Sequence, residues 1–197
     1  MDQSIFNKAR RDKFIMIFDI PLALKRKAEE VKKAGCNVNL EAYAANTVQF
    51  SLYGTPVPKV SIREVDVPYA GQVHRQTSYA RPTYAPLTIG MNIDNQFINY
   101  WLLWTWLNLW NDTRTAEFYP GINSSTTNTS IQDYVTSFTI YGLDEYNNKV
   151  ISFKYKSVII TDLSEIEFSF RNTEEIGCTA TFVFDQLHVD LISTPCQ

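Results

Sequence analysis

Over most of the chain, apolar and polar positions alternate with a period of two, the spacing of strands whose side chains point to opposite faces of a sheet. Phe14-Ile15-Met16-Ile17-Phe18 is a continuous apolar run ending near Pro21, which predicts a strand covered on both faces. Leu22 to Gly35 is built from strong helix formers and closes on a glycine, so a short exposed helix, or an insertion of residues 22–46 between two strands, is expected. Its basic residues, moderated by Glu29 and Glu30, read as a solvated face. Val48, Phe50 and Leu52 alternate with Gln49 and Ser51 and mark a half-buried strand. Beyond the break at Thr55-Pro56-Val57-Pro58, a second strand is predicted at Val60 and Ile62. Its apolar phase then moves to Val65 and Val67, which requires a bulge near Arg63-Glu64. Residues 68–86 lack periodicity and contain Pro68, Pro82 and Pro86; they are expected to form a long loop, and loops of this length are usually functional.

Leu87, Ile89, Met91 and Ile93 alternate without a fault and predict a strand, with Asp94 placed as N-cap of a helix from Asn95 to Trp110. That helix holds all 4 tryptophans: Trp101, Trp104, Trp106 and Trp110. At a helical period Phe97, Trp101 and Trp104 form one stripe, and Ile98, Leu102, Trp106 and Leu109 form another on nearly the opposite side. A helix lying on one sheet needs a single apolar stripe. Two stripes imply two covering partners.

The tract from Asn123 to Ser130 is polar and of low complexity and reads as a loop. Strands are predicted at Tyr134 to Leu143 and Val150 to Tyr155 around a hairpin turn at Asp144 to Asn148. Val158 to Ile160 leads on to a further strand at Ile166, Phe168 and Phe170, alternating with Glu165, Glu167 and Ser169. After a turn at Asn172 to Gly177, one long last strand carries Ala180, Phe182 and Phe184 on one face. Its phase slips near Asp185, so that Leu187, Val189 and Leu191 become the apolar set. The fold class expected is mainly β: an antiparallel sandwich or barrel with one main α-helix, in a single domain spanning residues 1–197.

Composition adds limits. The 197 residues are enough for one buried core, and a hydrophobic fraction of 45% is that of a globular protein. A net charge of -3 creates no field that would gather nucleic acid, and no basic stripe is evident. The first residues lack the apolar core of a secretory signal, and the longest apolar run, Phe97 to Trp110, is too short to cross a bilayer. Cys36, Cys178 and Cys196 are read as reduced thiols in a soluble protein made in the cytosol, where the sequons at Asn123 and Asn128 stay idle.

Catalytic chemistry finds no support. His74 and His188 have no ligand partners at metal-binding spacing, and no nucleophile elbow, phosphate loop or C-x-x-C occurs. Glu165 and Glu167 share a strand face, which a solvated sheet surface explains. No enzyme, metal or cofactor is expected. What demands an account is apolar surface: a second uncovered aromatic stripe exceeds the few hundred Å² that a soluble monomer normally exposes, and open strand edges add a drive toward self-pairing.

Several segments, in order, resemble the T4-like phage tail tube proteins. Val65-Asp66-Val67-Pro68-Tyr69-Ala70-Gly71-Gln72, followed by Ala80-Arg81-Pro82-Thr83-Tyr84-Ala85-Pro86-Leu87-Thr88-Ile89, is similar to that family's strand, long loop and strand. Asp94-Asn95-Gln96-Phe97 through Trp106 falls where the family has its main helix, and Thr161 to Phe168 is similar to the region before its last strand. The resemblance spans residues 12–20 and 46–192.

It implies a structural subunit of a virion, assembled in the host cytoplasm, forming homohexameric rings stacked into a tube inside a contractile sheath. The implied partners are further copies of the chain, a tail sheath protein, a tape measure protein, and baseplate and tail terminator proteins, with DNA only in transit and no membrane. Residues expected at subunit interfaces are Phe97, Trp101, Trp104, Trp106 and Trp110. Tyr69, Arg75, Tyr79, Arg81 and Tyr84 are expected on a loop reaching the adjacent ring, and Glu165, Glu167 and Asp185 are candidates for the lumen lining. Two other readings stand beside it: a tube-initiating or tube-terminating baseplate or neck paralogue of the same fold, and a monomeric β-sandwich binding module.

Overall fold

The structure, a computed structural model, describes residues 8–35, 51–112, 117–118, 131–171 and 174–192. Its elements in chain order are β1 (Phe14–Phe18), α1 (Leu22–Lys33), β2 (Ser51–Gly54), β3 (Glu64–Tyr69), β4 (Gln72–Thr77), β5 (Leu87–Asn92) and α2 (Ile98–Trp110). The two-residue strands β6 (Asn111–Asp112) and β7 (Glu117–Phe118) follow, then a 3-10 turn at Ile131–Asp133, β8 (Thr136–Leu143), β9 (Lys149–Leu163), β10 (Gly177–Val183) and β11 (Gln186–Leu191). Seven strands form the main sheet, in the order β1-β8-β9-β10-β5-β2 with β11 also on β9; every pairing in it is antiparallel.

This sheet is two leaves sharing one strand. β9 is 15 residues long, and its first half pairs with β8 and β11 while its second half pairs with β10. Strict alternation would keep odd positions on one face, yet Tyr155 and Val158 are both buried. The change of phase occurs at Ser157, whose left-handed φ of 57° bends the strand. The opposing chain breaks at the same level, between Val183 and Gln186, where the Asp185 N–H donates to the Lys156 carbonyl at 3.2 Å. The expected single last strand is therefore two, β10 and β11.

Folding β9 over brings the inner faces of the leaves together around aromatic side chains. Phe138 stacks on Tyr155 with centroids 4.5 Å apart, Phe18 lies 6.4 Å from Phe182 across the leaves, and Tyr155 meets Phe184 edge-on at 4.9 Å. Helix α2 closes this core with Trp106, which is 0% exposed and contacts Phe18 at 5.7 Å and Phe182 at 5.9 Å. Its indole N–H donates to the Tyr134 carbonyl at 2.9 Å, so burial leaves that donor satisfied. Burying such a ring is worth about 4–6 kcal/mol before the cost of ordering it. α1 adds Ala23, Leu24 and Ala28 to the interior and keeps its charged side chains outward.

A polar knot sets the start of α2. The helix begins at Ile98, later than the pattern predicted, and Phe97 precedes it with a left-handed φ of 56°. Asp94 nevertheless serves the helix end: its carboxylate accepts from the N–H groups of Ile98 and Asn99, each at 3.0 Å. Asn99, only 2% exposed, donates to the Asn92 carbonyl at 2.9 Å and accepts from Asp94 N–H and Tyr100 N–H. Thus the end of β5 and the first turn of α2 are tied by side chains that the apolar pattern treats as interruptions.

Other expectations need correction. Residues 55–63 form no strand, with Val57, Val60 and Ile62 exposed, and β3 starts at Glu64 without a bulge. The segment expected as a long loop over 68–86 is largely hairpin: β3 pairs with β4 through the two-residue turn Ala70-Gly71, and both turn residues have positive φ, the geometry that matches strand twist. No strand forms at Ile166 to Phe170, and among the described residues no strand pairs with that segment. The turn at Asp144 to Asn148 is as predicted, with the Asp144 carboxylate accepting from the N–H groups of Tyr146 and Asn148. Val48, Phe50, Cys36, Cys196, residues 36–46 and the tract from Asn123 to Ser130 lie outside the described residues.

Two substitutions test this packing. Phe138→Ala is expected to lower unfolding free energy by about 3–5 kcal/mol in urea titrations, since it empties the junction of both leaves. Asn99→Leu is expected to cost about 1–3 kcal/mol by stranding the Asn92 carbonyl and the Asp94 N–H; an unchanged urea midpoint would show that the knot does not hold the helix.

Candidate assembly surfaces

The two stripes of α2 meet different surroundings. Leu102 and Trp106 lie in the core, Ile98, Leu109 and the half-buried Trp101 pack against it, and Trp104 is 42% exposed. Phe97 packs against Phe168 at 6.0 Å and Trp110 against Tyr134 at 5.5 Å. Of the five residues expected at a subunit interface, Trp106 is wholly used inside the chain and cannot touch another molecule. Trp104 is the most open of them.

The first leaf presents two unlike faces and two margins that have no strand partner among the described residues. Its strands run β1-β8-β9-β11, each antiparallel to the next. The register aligns Phe18, Phe138, Tyr155 and Leu187 in one row and Met16, Ile140, Phe153 and Val189 in the next. These rows are covered at β1 and grow exposed toward β11, where Val189 and Leu191 stand in solvent. The opposite face carries Ile15 and Ile17 on β1 and is mostly polar across β8, β9 and β11. Lys154 binds Asp190 at 2.9 Å, Lys149 sits 4.3 Å over the Tyr141 ring, and Ser137 donates to the Asp19 carboxylate at 3.0 Å. Their hydrogen bond holds Asp190 below the usual carboxylate range and raises Lys154, although both are solvent-exposed. His188 is on this face, beside Gln186 at 3.2 Å.

Residues 55–86 form an arm that leaves the second leaf where β2 ends and β5 begins. Among the described residues, its two strands pair only with each other. Tyr69 and Tyr79 are exposed, as are Val65 and Val73. Arg75 lies 3.8 Å from both Glu64 and Asp66, and Arg81 is exposed. Tyr84 differs from the other four expected loop residues: it stacks on Phe184 at 5.0 Å and roots the arm in the core.

The three acidic residues assigned to a lumen wall are exposed but do not sit together. Asp185 is at the bend beside Lys156. Glu165 and Glu167 lie beyond Leu163 at the far end of β9, about 23 Å of strand away at ~3.3 Å per residue. They occupy the irregular stretch 164–171, where Phe168 is 73% exposed and Phe170 fully so. Sequence reasoning missed this exposed aromatic pair because its perfect alternation reads as a paired strand. Among the described residues, no cluster of three or more His, Cys, Asp or Glu could hold a metal, and no helix is long and apolar enough to cross a membrane. Cys178 is buried, which pushes its thiol pKa up, and the Tyr155 hydroxyl is raised by the same cause.

No protein-family model and no curated protein matches the sequence. Solved structures do. A chain of the sheath–tube complex of PVC, an extracellular contractile injection system in its extended state, matches with a TM-score of 0.59 at 9% identity, covering 95% of each chain. The tube-terminating cap of the anti-feeding prophage matches at 0.56 and 10% identity over 98% of this chain and 97% of the cap chain. The sheath/tube terminator of PVC matches at 0.53 and 10% identity over 95% and 99%. Identities this low speak to fold. The chain has the mainly β, antiparallel fold found in tube-associated and cap proteins of contractile injection systems.

Proposed function

We propose that this protein is a structural subunit of a tail-like tube, assembled from copies of the chain in closed rings that stack, and that it catalyses no reaction. The observation that carries this reading is the first leaf: four antiparallel strands whose two margins have no strand partner among the described residues, an apolar face on the chain's own core and, from β8 to β11, a mostly polar face outward. An even strand number lets β11 of one copy meet β1 of the next while preserving the antiparallel alternation, so identical contacts repeat around a ring. In that joint Phe14, Met16 and Phe18 continue the apolar rows that end at Leu187, Val189 and Leu191, covering the corner that the single chain leaves in water. The Trp104 stripe is a second apolar surface for a neighbouring copy. A ring of six copies, as the tail tube resemblance implies, would then carry one continuous barrel.

The polar face of this leaf would line the lumen. Lys154 is engaged by Asp190 and Lys149 by the Tyr141 ring, so two of its cations are held by neighbours in the wall instead of being offered to a passing polyanion. That suits a conduit, which must not retain its cargo. On this reading Glu165, Glu167 and Asp185 lie off the barrel wall, at its end and at its bend. The partners of such a tube are a sheath protein around it, a tape measure protein within it during assembly, and baseplate and terminator proteins at its ends, with DNA a transient passenger in a phage-type particle.

A second reading rests on the matches to the cap and the terminator, which are nearly as good as the match to the sheath–tube chain: a ring that ends or starts a tube. Negative-stain microscopy and light scattering of the purified protein separate these readings. Rings with a central channel that stack into tubes are expected; rings that never stack would favour the cap reading, and a sharp monomer at tens of micromolar would defeat both. Trp104→Asp is expected to abolish ring formation while leaving the far-ultraviolet strand signal intact. Oligomers unchanged in mass would remove Trp104 from the interface.

A further inference from the structure

Phe184 stands where the arm and the margin strand β11 meet. It lies between Val183, which ends β10, and Gln186, which begins β11, so the chain passes there from the second half of β9 to its first half. Asp185 fixes the backbone of this corner through its N–H on the Lys156 carbonyl at 3.2 Å. The position of the Phe184 side chain rests on rings. Tyr155 meets it edge-on at 4.9 Å, and Tyr84 stacks on it at 5.0 Å with 27° between the planes. Phe184 is buried, and Tyr84 packs against the core as part of its cover.

Tyr84 belongs to the arm. Residues 79–86 run back from the hairpin to β5, and Tyr84 alone among them is not exposed. Pro82 and Pro86 flank it. Proline fixes its own φ and holds the residue before it extended, so Arg81-Pro82 and Ala85-Pro86 make this leg of the arm stiff. The other leg carries Pro56 and Pro58. The two legs are bonded to each other: Arg63 N–H donates to the Ala80 carbonyl at 3.1 Å, and Ser78 N–H donates to the Arg63 carbonyl at 2.9 Å. A stiff arm seated through one ring passes its orientation to the ring beneath. A slack loop would not.

From this chain of contacts we infer that Tyr84 is a positioning residue for ring closure: acting through Phe184, it fixes the start of β11, the margin strand that meets β1 of the next copy. The inference rests on the ring reading of the first leaf and adds to it a residue that lies outside the joint. Tyr155, which Phe184 touches, pairs with Leu187 in the register of β9 and β11. A Phe184 that loses its seat therefore loosens the apolar row at its β11 end. Coupling between two sites is reciprocal, so closing the joint in turn steadies the arm.

Hydrogen exchange on dilute, unassembled protein reads the effect, because local opening of a strand shows in the exchange of its amides. Tyr84→Ala is expected to speed exchange over residues 186–191 several-fold and to leave residues 87–92 of β5 as in wild type. Tyr84→Phe keeps the stack and is expected to restore the wild-type pattern. An unchanged rate over 186–191 would overturn the assignment, and so would equal acceleration of both strands, which reports a general loss of stability. Assembly supplies a second readout. The protein concentration at which rings appear is expected to rise several-fold in Tyr84→Ala and to stay near wild type in Leu52→Ala, which truncates a β2 residue packed on the core at the level of Met91. The same rise in both variants would also count against a role for Tyr84 in closure. Wild-type protein that forms no rings would defeat the ring reading itself, while the exchange pattern still decides whether Tyr84 seats β11.

Discussion

A strand of fifteen residues cannot serve two leaves of a sandwich unless its side chains change face partway, and the bend of β9 at Ser157 is where this molecule meets that constraint. One residue in a left-handed conformation puts Tyr155 and Val158 on the same inner side. The cost of that conformation for a residue other than glycine, on the order of 1 kcal/mol, is small beside what the bend permits. It brings Phe18, Phe138 and Tyr155 of one leaf against Phe182 and Phe184 of the other, with Trp106 across the opening. A straight β9 would turn half of these rings to water.

The same bend fixes what is left uncovered. Two leaves around a common strand leave β1, β2 and β11 each with one edge that has no strand partner among the described residues. Solved structures with 9–10% identity match over nearly the full length of the chain, so the fold persists through almost complete change of sequence. Fold, then, is carried by the aromatic core and by the break at mid-strand. The surfaces that this core leaves exposed are the outer side of α2, the β11 corner, the arm and the 164–171 stretch, and the proposed assembly rests on them.

Much of this was legible along the chain. Period-two alternation located β5, β8, the first half of β9 and β10; of the two stripes read along α2, Leu102 and Trp106 lie in the core and Trp104 is exposed. Polar groups were read less well. Asn99 interrupts an apolar run and looks like a defect, yet its side chain is the link between β5 and α2. The alternation of Ile166, Phe168 and Phe170 is strand-like, but a strand also needs a neighbour to supply hydrogen bonds, and sequence period does not report neighbours. The hairpin at 64–77 failed in the other direction: exposed on both faces, it has no reason to alternate, and only the Ala70-Gly71 turn marks it.

By itself the sequence determined the strand-rich class and the aromatic helix, because these depend on local period and residue type. Tertiary structure decided which tryptophan is core and which is surface, and that the last strand is two. Those properties depend on where the chain bends and which segments come to lie side by side. Packing of residues far apart in sequence settles that, and no window along the chain contains it.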